Sequence, residues 1–282
     1  MGRYLDDTLR RKIVFFTGKG GVGKSTLCYA TALACRAAGR RPLVAVWDPF
    51  ESAPGEHPLD ALKVDRLRLE ALTCFKEYAL LTLKFEKIYD AVFDNQVLKT
   101  FIRTTPGVAD GVIAGKLWDV AQKNDYDVIL VDLPSTGHAF SFFKSPKGIR
   151  KIFTLGAIHR QAAQICDYFE SEKTRVDFVS LPEELPLTEA KLLVKGLKEV
   201  LSLNYGFFFL NQVVPRFQLP PNESLPENLR SLEALYQARW KNDDAAQSMV
   251  RGLELPVISL PLDVIASYTD LVLDIAKRLE SA

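Results

Sequence analysis

The stretch Gly18-Lys19-Gly20-Gly21-Val22-Gly23-Lys24-Ser25-Thr26 decides the fold. It satisfies the pattern G-x-x-x-x-G-K-[ST], and it lies between an apolar run that ends at Thr17 and a segment of helical character that begins near Lys24. A strand, a glycine-rich turn and a helix are the context that this pattern requires. We therefore predict a phosphate-binding loop rather than a glycine turn that merely starts a helix.

The residue types in this loop suit a nucleotide and its metal ion. Glycines let successive backbone N–H groups point inward at a phosphate, and the helix N-terminus adds partial positive charge. Lys24 would bridge the β- and γ-phosphates, and the Ser25 hydroxyl would be an oxygen ligand of Mg²⁺. The sequence thus predicts ATP or ADP with Mg²⁺ as cofactors. The predicted contacts are Gly18, Lys19, Gly20, Gly21, Val22, Gly23, Lys24, Ser25 and Thr26.

Six apolar runs rich in Val, Ile and Phe have the length and composition of buried strands. Segments with helical periodicity separate them, which favours parallel strands joined by crossover helices over hairpins. We expect an α/β fold with a doubly wound, mostly parallel sheet, whose ligands bind at the carboxyl ends of the strands. The runs are residues 13–17, 43–47, 128–131, 176–181, 207–210 and 257–260.

Two connections, residues 59–123 and 139–175, are too long for a simple crossover. Apolar residues recur at helical spacing from Phe85 to Phe93 in the first and from Ile158 to Phe169 in the second. We expect both connections to be helical and to form a layer at the carboxyl ends of the strands. This helical subdomain would belong to a single domain of residues 1–282.

Composition restricts the class of partner. Basic and acidic residues nearly balance, 36 against 35, so no whole-chain field attracts nucleic acid, and we expect no nucleic-acid partner. No apolar run approaches the roughly 20 residues that span a bilayer, so we expect no integral membrane segment. A local patch that contacts a membrane surface remains compatible with the sequence.

The amino terminus and the cysteines bear on location. Residues 1–12 carry charges throughout and lack the apolar centre of a signal peptide. The four cysteines, Cys28, Cys35, Cys74 and Cys166, include no C-x-x-C pair and no tight cluster. We expect a cytoplasmic protein with reduced thiols.

Two aspartates follow predicted strands. Asp132 follows the run 128–131, where a carboxylate would hold Mg²⁺ or its water shell; the alternative is a turn or helix N-cap residue. Asp48 stands immediately before Pro49 and would orient the attacking water, although Asp-Pro is also a common turn opener. Lys24 and Asp48 are therefore candidate catalytic residues, and Ser25 and Asp132 are candidate metal ligands.

Lys19, directly after the first glycine, gives K-G-G-V-G-K-S. This resembles the deviant Walker A loops of the ParA and MinD proteins, nitrogenase iron protein and the ArsA ATPases. The resemblance implies that Lys19 reaches across a dimer to the partner's nucleotide as a catalytic or sensing residue. It also implies a nucleotide-gated homodimer, or a heterodimer with a paralogue.

Asp132-Leu133-Pro134-Ser135-Thr136-Gly137-His138 resembles the D-T-A-P-T-G-H switch II of the ArsA and tail-anchored-protein targeting (Get pathway) ATPases. Asp48 and Pro49 match the start of their switch I, D-P-A-H, before the likeness fades. The resemblance implies that Asp48, Pro49, Asp132, Gly137 and His138 are switch residues. His138 also reads as a structural histidine. Further segments resemble bacterial ArsA-like ATPases in the same order, so the likeness covers most of the chain.

The resemblance also implies where the base would bind. Asn211, at the end of a predicted strand, would contact the adenine ring, and the loop that begins at Pro261 would pack near it. Asn211 reads equally well as a plain turn residue.

The chain lacks the sequence features that the family uses for its best-known cargoes. The chain has no C-x-x-C clasp and only two methionines, Met1 and Met249, and its cysteines suggest no metalloid site. Membrane-helix chaperoning and arsenic chemistry are therefore unsupported. The sequence is compatible with a protein client but does not identify one.

The preferred interpretation is a Mg²⁺-dependent ATPase that couples ATP state to movement of a helical layer. Two alternatives stay open. A ParA/MinD-like positioning ATPase would bind DNA or a membrane through a basic patch or a C-terminal amphipathic helix. The segment Tyr268 to Leu279 is the candidate for that helix, and otherwise it would pack on the sheet. A nucleotide-binding assembly module would bind ATP with negligible turnover.

Overall fold

The computed structural model describes residues 2–47, 57–83, 100, 105, 107–217, 227–263 and 267–282. The predicted switch residues Asp48 and Pro49 lie outside the described residues. So does the predicted helical stretch from Phe85 to Phe93.

Helices and strands alternate along most of the described chain. The strands are β1 (Ile13–Thr17), β2 (Pro42–Val46), β3 (Asp65–Arg68), β4 (Val128–Asp132), β5 (Thr174–Ser180), β6 (Tyr205–Val213) and β7 (Val257–Pro261). The helices are α1 (Arg3–Leu9), α2 (Lys24–Ala37), α3 (Pro58–Ala61), α4 (Ala71–Leu83), α5 (Val108–Lys123), α6 (Thr136–Ile152), α7 (Gly156–Glu170), α8 (Glu184–Val200), α9 (Glu227–Arg251) and α10 (Tyr268–Ser281).

All neighbouring strands pair in parallel, in the order β3-β2-β4-β1-β5-β6-β7. The predicted strands are all present, and the predicted doubly wound parallel α/β fold is confirmed. β1 lies between β4 and β5, so the chain leaves the middle of the sheet where the glycine-rich loop begins. Such a central point is where open α/β sheets bind ligands.

The two faces of the sheet carry separate apolar cores. Phe15 of β1 packs with Phe142 and Phe143 of α6 and with Phe169 of α7. The neighbouring Phe16 points to the opposite core, which α1, α2 and α10 cover. Because both faces are buried, β1 reads in the sequence as a continuous apolar run rather than as an alternating one.

The expectation that residues 59–123 are helical is wrong at β3. Asp65–Arg68 forms a strand at the edge of the described sheet, where it pairs with β2 and with no other described strand. Its side chains are exposed or half-buried, and its charged sequence suits an edge strand that must not attract other chains. Four such residues carry too little apolar pattern to reveal a strand.

One helix was not anticipated from the sequence: α1, which precedes the first predicted strand. The seven residues of α1 are too few for a clear period, and its order depends on the opposite end of the chain. Gly2 N–H donates to Glu280 O at 2.7 Å, and Tyr4 N–H donates to Ala282 O at 3.0 Å.

The amphipathic segment from Tyr268 forms α10, and its apolar face packs against α2. Val272, Ile275, Ala276 and Leu279 are buried there. This favours the packing interpretation over a membrane-binding C-terminal helix. Within the described residues, no helix has the length and apolar character needed to cross a bilayer.

Candidate nucleotide site

The glycine-rich loop joins β1 to α2, and two of its glycines are required by their neighbours. A Cβ on Gly18 would stand 2.1 Å from Val179 O of β5, so no side chain fits there. Gly23 has φ of 94°, and a Cβ on it would lie 2.4 Å from Asn211 Nδ2. The loop is therefore held close to β5 and β6, which sets where its N–H groups point.

Three predicted site residues meet at the start of α2. Ser25 Oγ donates a hydrogen bond of 2.6 Å to Asp132 Oδ2 at the end of β4. Lys24 Nζ donates to the loop's own Lys19 O at 2.9 Å. Asp132 reaches this position because β4 lies directly beside β1, with Asp132 opposite Phe16. The fold thus joins residues more than 100 positions apart in the chain.

Burial shifts the titration of both charged groups. Burial lowers the pKa of Lys24, and the Asp132 carboxylate opposes that shift. Burial raises the pKa of Asp132, and the Ser25 hydroxyl and the Lys24 ammonium oppose it. Both shifts disfavour the charged forms, so the free site carries charges that the surrounding protein stabilises poorly.

The oxygen atoms of this site suit Mg²⁺. Asp132 Oδ1 is buried and has no hydrogen-bond partner among the described residues, while Ser25 Oγ lies beside the other carboxylate oxygen. Mg²⁺ prefers oxygen ligands and usually binds through one or two carboxylates together with phosphates and water. Over the described parts of the chain, no cluster of three or more His, Cys, Asp or Glu forms another metal site. Ser25 and Asp132 therefore fit the predicted ion.

Lys19 forms an ion pair with a residue of α8. Its Nζ lies 3.0 Å from Glu189 Oε1, and both side chains are about one-third exposed. Glu189 Oε2 also accepts a hydrogen bond of 3.5 Å from Thr136 Oγ1, in the first turn of α6. Sequence reasoning missed Glu189, because nothing in the local pattern of α8 marks one glutamate among several.

Asn211 braces the loop from β6. Its Nδ2 donates a hydrogen bond of 2.9 Å to Val22 O, and the side chain is buried. The next residue, Gln212, has φ of 60°, and the pairing of β6 with β7 shifts between Leu210 and Val213. Irregularities of this kind re-aim side chains near functional sites. Pro261 pairs with Val213 beside this point. The predicted adenine contacts of Asn211 and Pro261 stay predictions.

The residues of the second predicted switch begin α6. Gly137 and His138 are exposed, and His138 N–H donates to Ser135 O at 3.0 Å. Trp47, which precedes Asp48, packs edge-to-face on Phe142 of α6, with ring centroids 5.7 Å apart. The segment before the first predicted switch therefore touches the helix that carries the second.

Thr26 contacts a residue that the sequence did not single out for the site. Its Oγ1 lies 3.3 Å from the hydroxyl oxygen of Tyr268, the first residue of α10. A tyrosine that begins an amphipathic helix gives no sequence signal of such a contact.

A glycine-rich loop after the central strand, with a lysine, a serine and a strand-end aspartate converging on it, defines a P-loop nucleotide-binding protein. A family model described as anion-transporting ATPase (ArsA ATPase) matches residues 11–171, more than half of the chain. The chain belongs to this family.

Several relatives carry ATPase names. The chain is 26% identical over 251 residues to a putative arsenical pump-driving ATPase of Halobacterium salinarum, which covers 80% of this chain and 39% of the relative. It is 27% identical to ATPase BagA of Mycobacterium tuberculosis, over 71% of this chain and 64% of that protein. It is 26% identical to an arsenical pump-driving ATPase of Escherichia coli, over 88% of this chain and 46% of that protein. The chain thus matches only part of each of these relatives.

Proposed function

We propose that this protein is a Mg²⁺-dependent ATPase that works as a nucleotide-gated dimer and transmits its nucleotide state to the helices beside the site. The contact of Ser25 Oγ with Asp132 carries this proposal, since the buried Oδ1 of Asp132, near Lys24, has no partner in the described part of the chain. We place the protein in the cytoplasm, in line with its four free, buried cysteines.

Hydrolysis in such a site works through positioning and charge neutralisation, because the loose phosphoryl transition state needs little covalent chemistry from the protein. Lys24 and the loop N–H groups bind the phosphates, and Lys24 gives up its bond to Lys19 O to do so. Ser25 and Asp132 hold the magnesium ion, which neutralises phosphate charge when bound. Asp48 aims the attacking water.

Lys19 acts on the partner's nucleotide in this proposal. In the free protomer its ammonium is held by Glu189 of the same chain, so engagement of a partner requires that this ion pair opens. The pair is partly exposed and therefore weak, which makes its opening a small cost. The dimer consists of two copies of this chain, or of this chain and a paralogue.

The site touches the helices through its switch segments. Glu189 contacts both Lys19 of the loop and Thr136 of α6, while Trp47 before Asp48 packs on Phe142 of the same helix. A change at the γ-phosphate therefore moves α6 and α8 through direct contacts, as in other switches that order and release loops. The layer of helices α4 to α7 would present this change to a protein client.

Phosphate release by the purified protein tests hydrolysis. We expect Mg²⁺-dependent turnover that Lys24→Ala abolishes, whereas Lys195→Ala, at an exposed lysine of α8, leaves it unchanged. Asp48→Asn should retain ATP binding and lose turnover. Tight ATP binding without phosphate release in the unmodified protein would instead identify the non-hydrolysing assembly module.

Mixing two inactive variants tests whether Lys19 acts across the dimer. In a mixed dimer of Lys19→Ala and Asp48→Asn, the site of the Lys19→Ala protomer keeps its own Asp48 and receives Lys19 from its partner. An equal mixture should recover about one quarter of normal turnover, because half of the dimers are mixed and each has one complete site of two. If Lys19 acts within its own chain, no mixed dimer has a complete site, and no turnover returns.

A further inference from the structure

The turn between α6 and α7, residues 150–160, displays a cluster of large apolar side chains, and we refer to it as the α6–α7 tip. Ile152 is 76% exposed, Leu155 86%, Phe153 44% and Ile158 42%. Every residue from 151 to 158 is exposed. Single exposed apolar residues are ordinary, but four within seven positions form a patch, and patches of this kind mark interaction sites.

Positive charge surrounds the patch. Arg150, Lys151 and Arg160 are exposed, and their side chains make no hydrogen bond or ion pair with any described residue. No Asp or Glu occurs in the sequence between Asp132 and Asp167. Acidic side chains, which would offset this charge, are therefore missing from the tip and from both helices over most of their length. The chain as a whole is nearly neutral, so the charge of the tip is a local feature.

The backbone of the tip is held in one shape. The ring Nδ1 of His159 lies 2.7 Å from Phe153 O and 3.2 Å from Arg150 O, which ties the start of α7 to the end of α6. Gly156 has φ of 91°, a left-handed conformation that glycine adopts without a steric penalty. The apolar side chains are thus displayed on an anchored turn.

We propose that the α6–α7 tip binds the surface of an anionic lipid bilayer. Its apolar side chains would enter the boundary between headgroups and acyl chains, while Arg150, Lys151 and Arg160 contact lipid phosphates, the arrangement by which amphipathic surface elements bind membranes. A second copy would bring like charges together, so self-association through two tips is disfavoured.

The proposal predicts that binding to anionic bilayers depends on both the cationic and the apolar side chains of the α6–α7 tip. Each cationic side chain near an anionic leaflet strengthens binding severalfold, so removal of all three should weaken it on the order of a hundredfold. Removal of the two most exposed apolar residues should abolish stable binding, because electrostatic attraction alone is screened within a Debye length. Binding should also weaken as salt is raised.

Sedimentation of the full chain with vesicles tests this. We expect binding to phosphatidylcholine vesicles that contain about one third phosphatidylglycerol, and little binding to phosphatidylcholine alone. Ile152→Ser with Leu155→Ser, and separately Arg150→Glu with Lys151→Glu, should leave the protein in the supernatant. Matched controls are Leu192→Ser with Leu235→Ser and Lys241→Glu with Arg251→Glu, which change other exposed residues of the same type and should still sediment.

Several results would overturn the proposal. These are failure to sediment with anionic vesicles, equal binding to neutral and anionic vesicles, and undiminished binding by both tip variants. Concentration-dependent self-association that only the tip variants lose would assign the patch to a protein contact instead. Thermal melting of each variant shows whether it is folded. Neither readout needs ATP hydrolysis, so this test and the test of the proposed ATPase fail independently.

Discussion

Buried charged side chains occur at both ends of the parallel sheet, but they have fewer hydrogen-bond and charge partners at one end than at the other. At the carboxyl ends of β1 and β4, the structure as far as it is described gives Lys24 a hydrogen bond to its own loop alone and leaves one oxygen of Asp132 without a partner. At the amino end of β5, Arg175 is 1% exposed and is surrounded by partners. Lys24 and Asp132 can therefore accept further hydrogen-bond or charge partners, whereas most of the hydrogen-bonding groups of Arg175 are already paired within the fold.

The network around Arg175 joins α1 to the sheet. Its guanidinium donates to Asp7 Oδ2 at 2.6 Å, to Thr8 Oγ1 at 2.8 Å and to Asp177 Oδ2 at 2.7 Å. Its central carbon lies 4.9 Å from the ring centroid of Tyr4 and 5.0 Å from that of Phe207. Among its nitrogens only Nε has no partner within the described structure.

The difference separates a structural ion network from a ligand site. A buried charge destabilises a fold unless it has hydrogen-bond or charge partners, so we expect a buried charge with few protein partners to bind a ligand. Arg175 finds its partners within its own chain. In the proposed function, phosphate and magnesium are the partners of Lys24 and Asp132. Each of the following predictions tests one side of this contrast.

The largest expected effect is at Arg175. Arg175→Leu leaves Asp177 fully buried without its cationic partner, and we expect a loss of about 3–5 kcal/mol in the free energy of unfolding. Urea denaturation measures it. The control is Arg216→Leu, which breaks an exposed pair with Asp244 and should cost about 0–1 kcal/mol. Adding Asp177→Asn to Arg175→Leu should recover part of the loss. If Arg175→Leu costs no more than the exposed-pair control, the buried network has no special role in stability.

The second prediction concerns Asp132→Asn. The raised pKa of Asp132 means that its ionised form is disfavoured in the fold, a cost that is present at neutral pH and disappears as the pH falls below the unfolded value. The nucleotide-free variant should therefore be at least as stable as the parent protein. The parent should gain about 2.7 kcal/mol with Mg²⁺-ATP at about 100 times its Kd, and the variant should lose most of that gain. Differential scanning calorimetry with and without Mg²⁺-ATP measures both effects. If the nucleotide-free variant is clearly less stable than the parent, Asp132 stabilises the fold itself, as Arg175 does, and is not kept for a ligand.

This contrast also shows what the sequence could reveal. The P-loop and the central strands were predictable because they rest on local signals: glycines at fixed offsets, and runs such as Ile13–Thr17 that are buried on both faces. Asp132 was predictable because a carboxylate at the end of an apolar strand follows from the same local pattern. A short helix such as α1 was not, because its order comes from contacts with residues 280–282 at the far end of the chain.

The partners of the site were beyond sequence reasoning for the same reason. Glu189 lies 170 positions from Lys19, and Tyr268 lies 242 positions from Thr26. Asp177 lies in the run 176–181 that was predicted as a buried strand, whereas Arg175 was assigned to the helical connection before it. Nothing in either segment indicates that Asp7 of α1 is a partner of Arg175. Pair contacts of this kind depend on topology, which fixes which elements become neighbours only after the whole sheet is assembled.

The third prediction is a pH dependence that originates at Asp7. Partial burial acts to raise the pKa of Asp7, but hydrogen bonds from Arg11 and Arg175 outweigh it and hold the pKa below its ordinary value. A carboxyl with a lowered pKa stabilises the fold above its unfolded pKa of about 4, and this contribution is lost as the pH falls through the folded value. Asp7→Asn should therefore cost about 1–2 kcal/mol at pH 7 and progressively less below about pH 4. Urea denaturation across this pH range measures it, and a cost that does not shrink in acid would contradict the assignment.

The smallest expected effect on stability is at Glu189, where we expect a change in dimer formation instead. Its pair with Lys19 is partly exposed, so Glu189→Gln should change the free energy of unfolding by about 0–1 kcal/mol. Because the same pair holds Lys19 within its own chain, its loss should favour the dimer by up to about fivefold in the presence of a non-hydrolysable ATP analogue. Size-exclusion chromatography across protein concentrations measures this shift. Glu199→Gln, which removes an exposed pair with Lys195 on the same helix, should leave the dimer unchanged. A weaker dimer in Glu189→Gln would mean that Glu189 supports Lys19 in the assembled state and does not retain it in the free protomer.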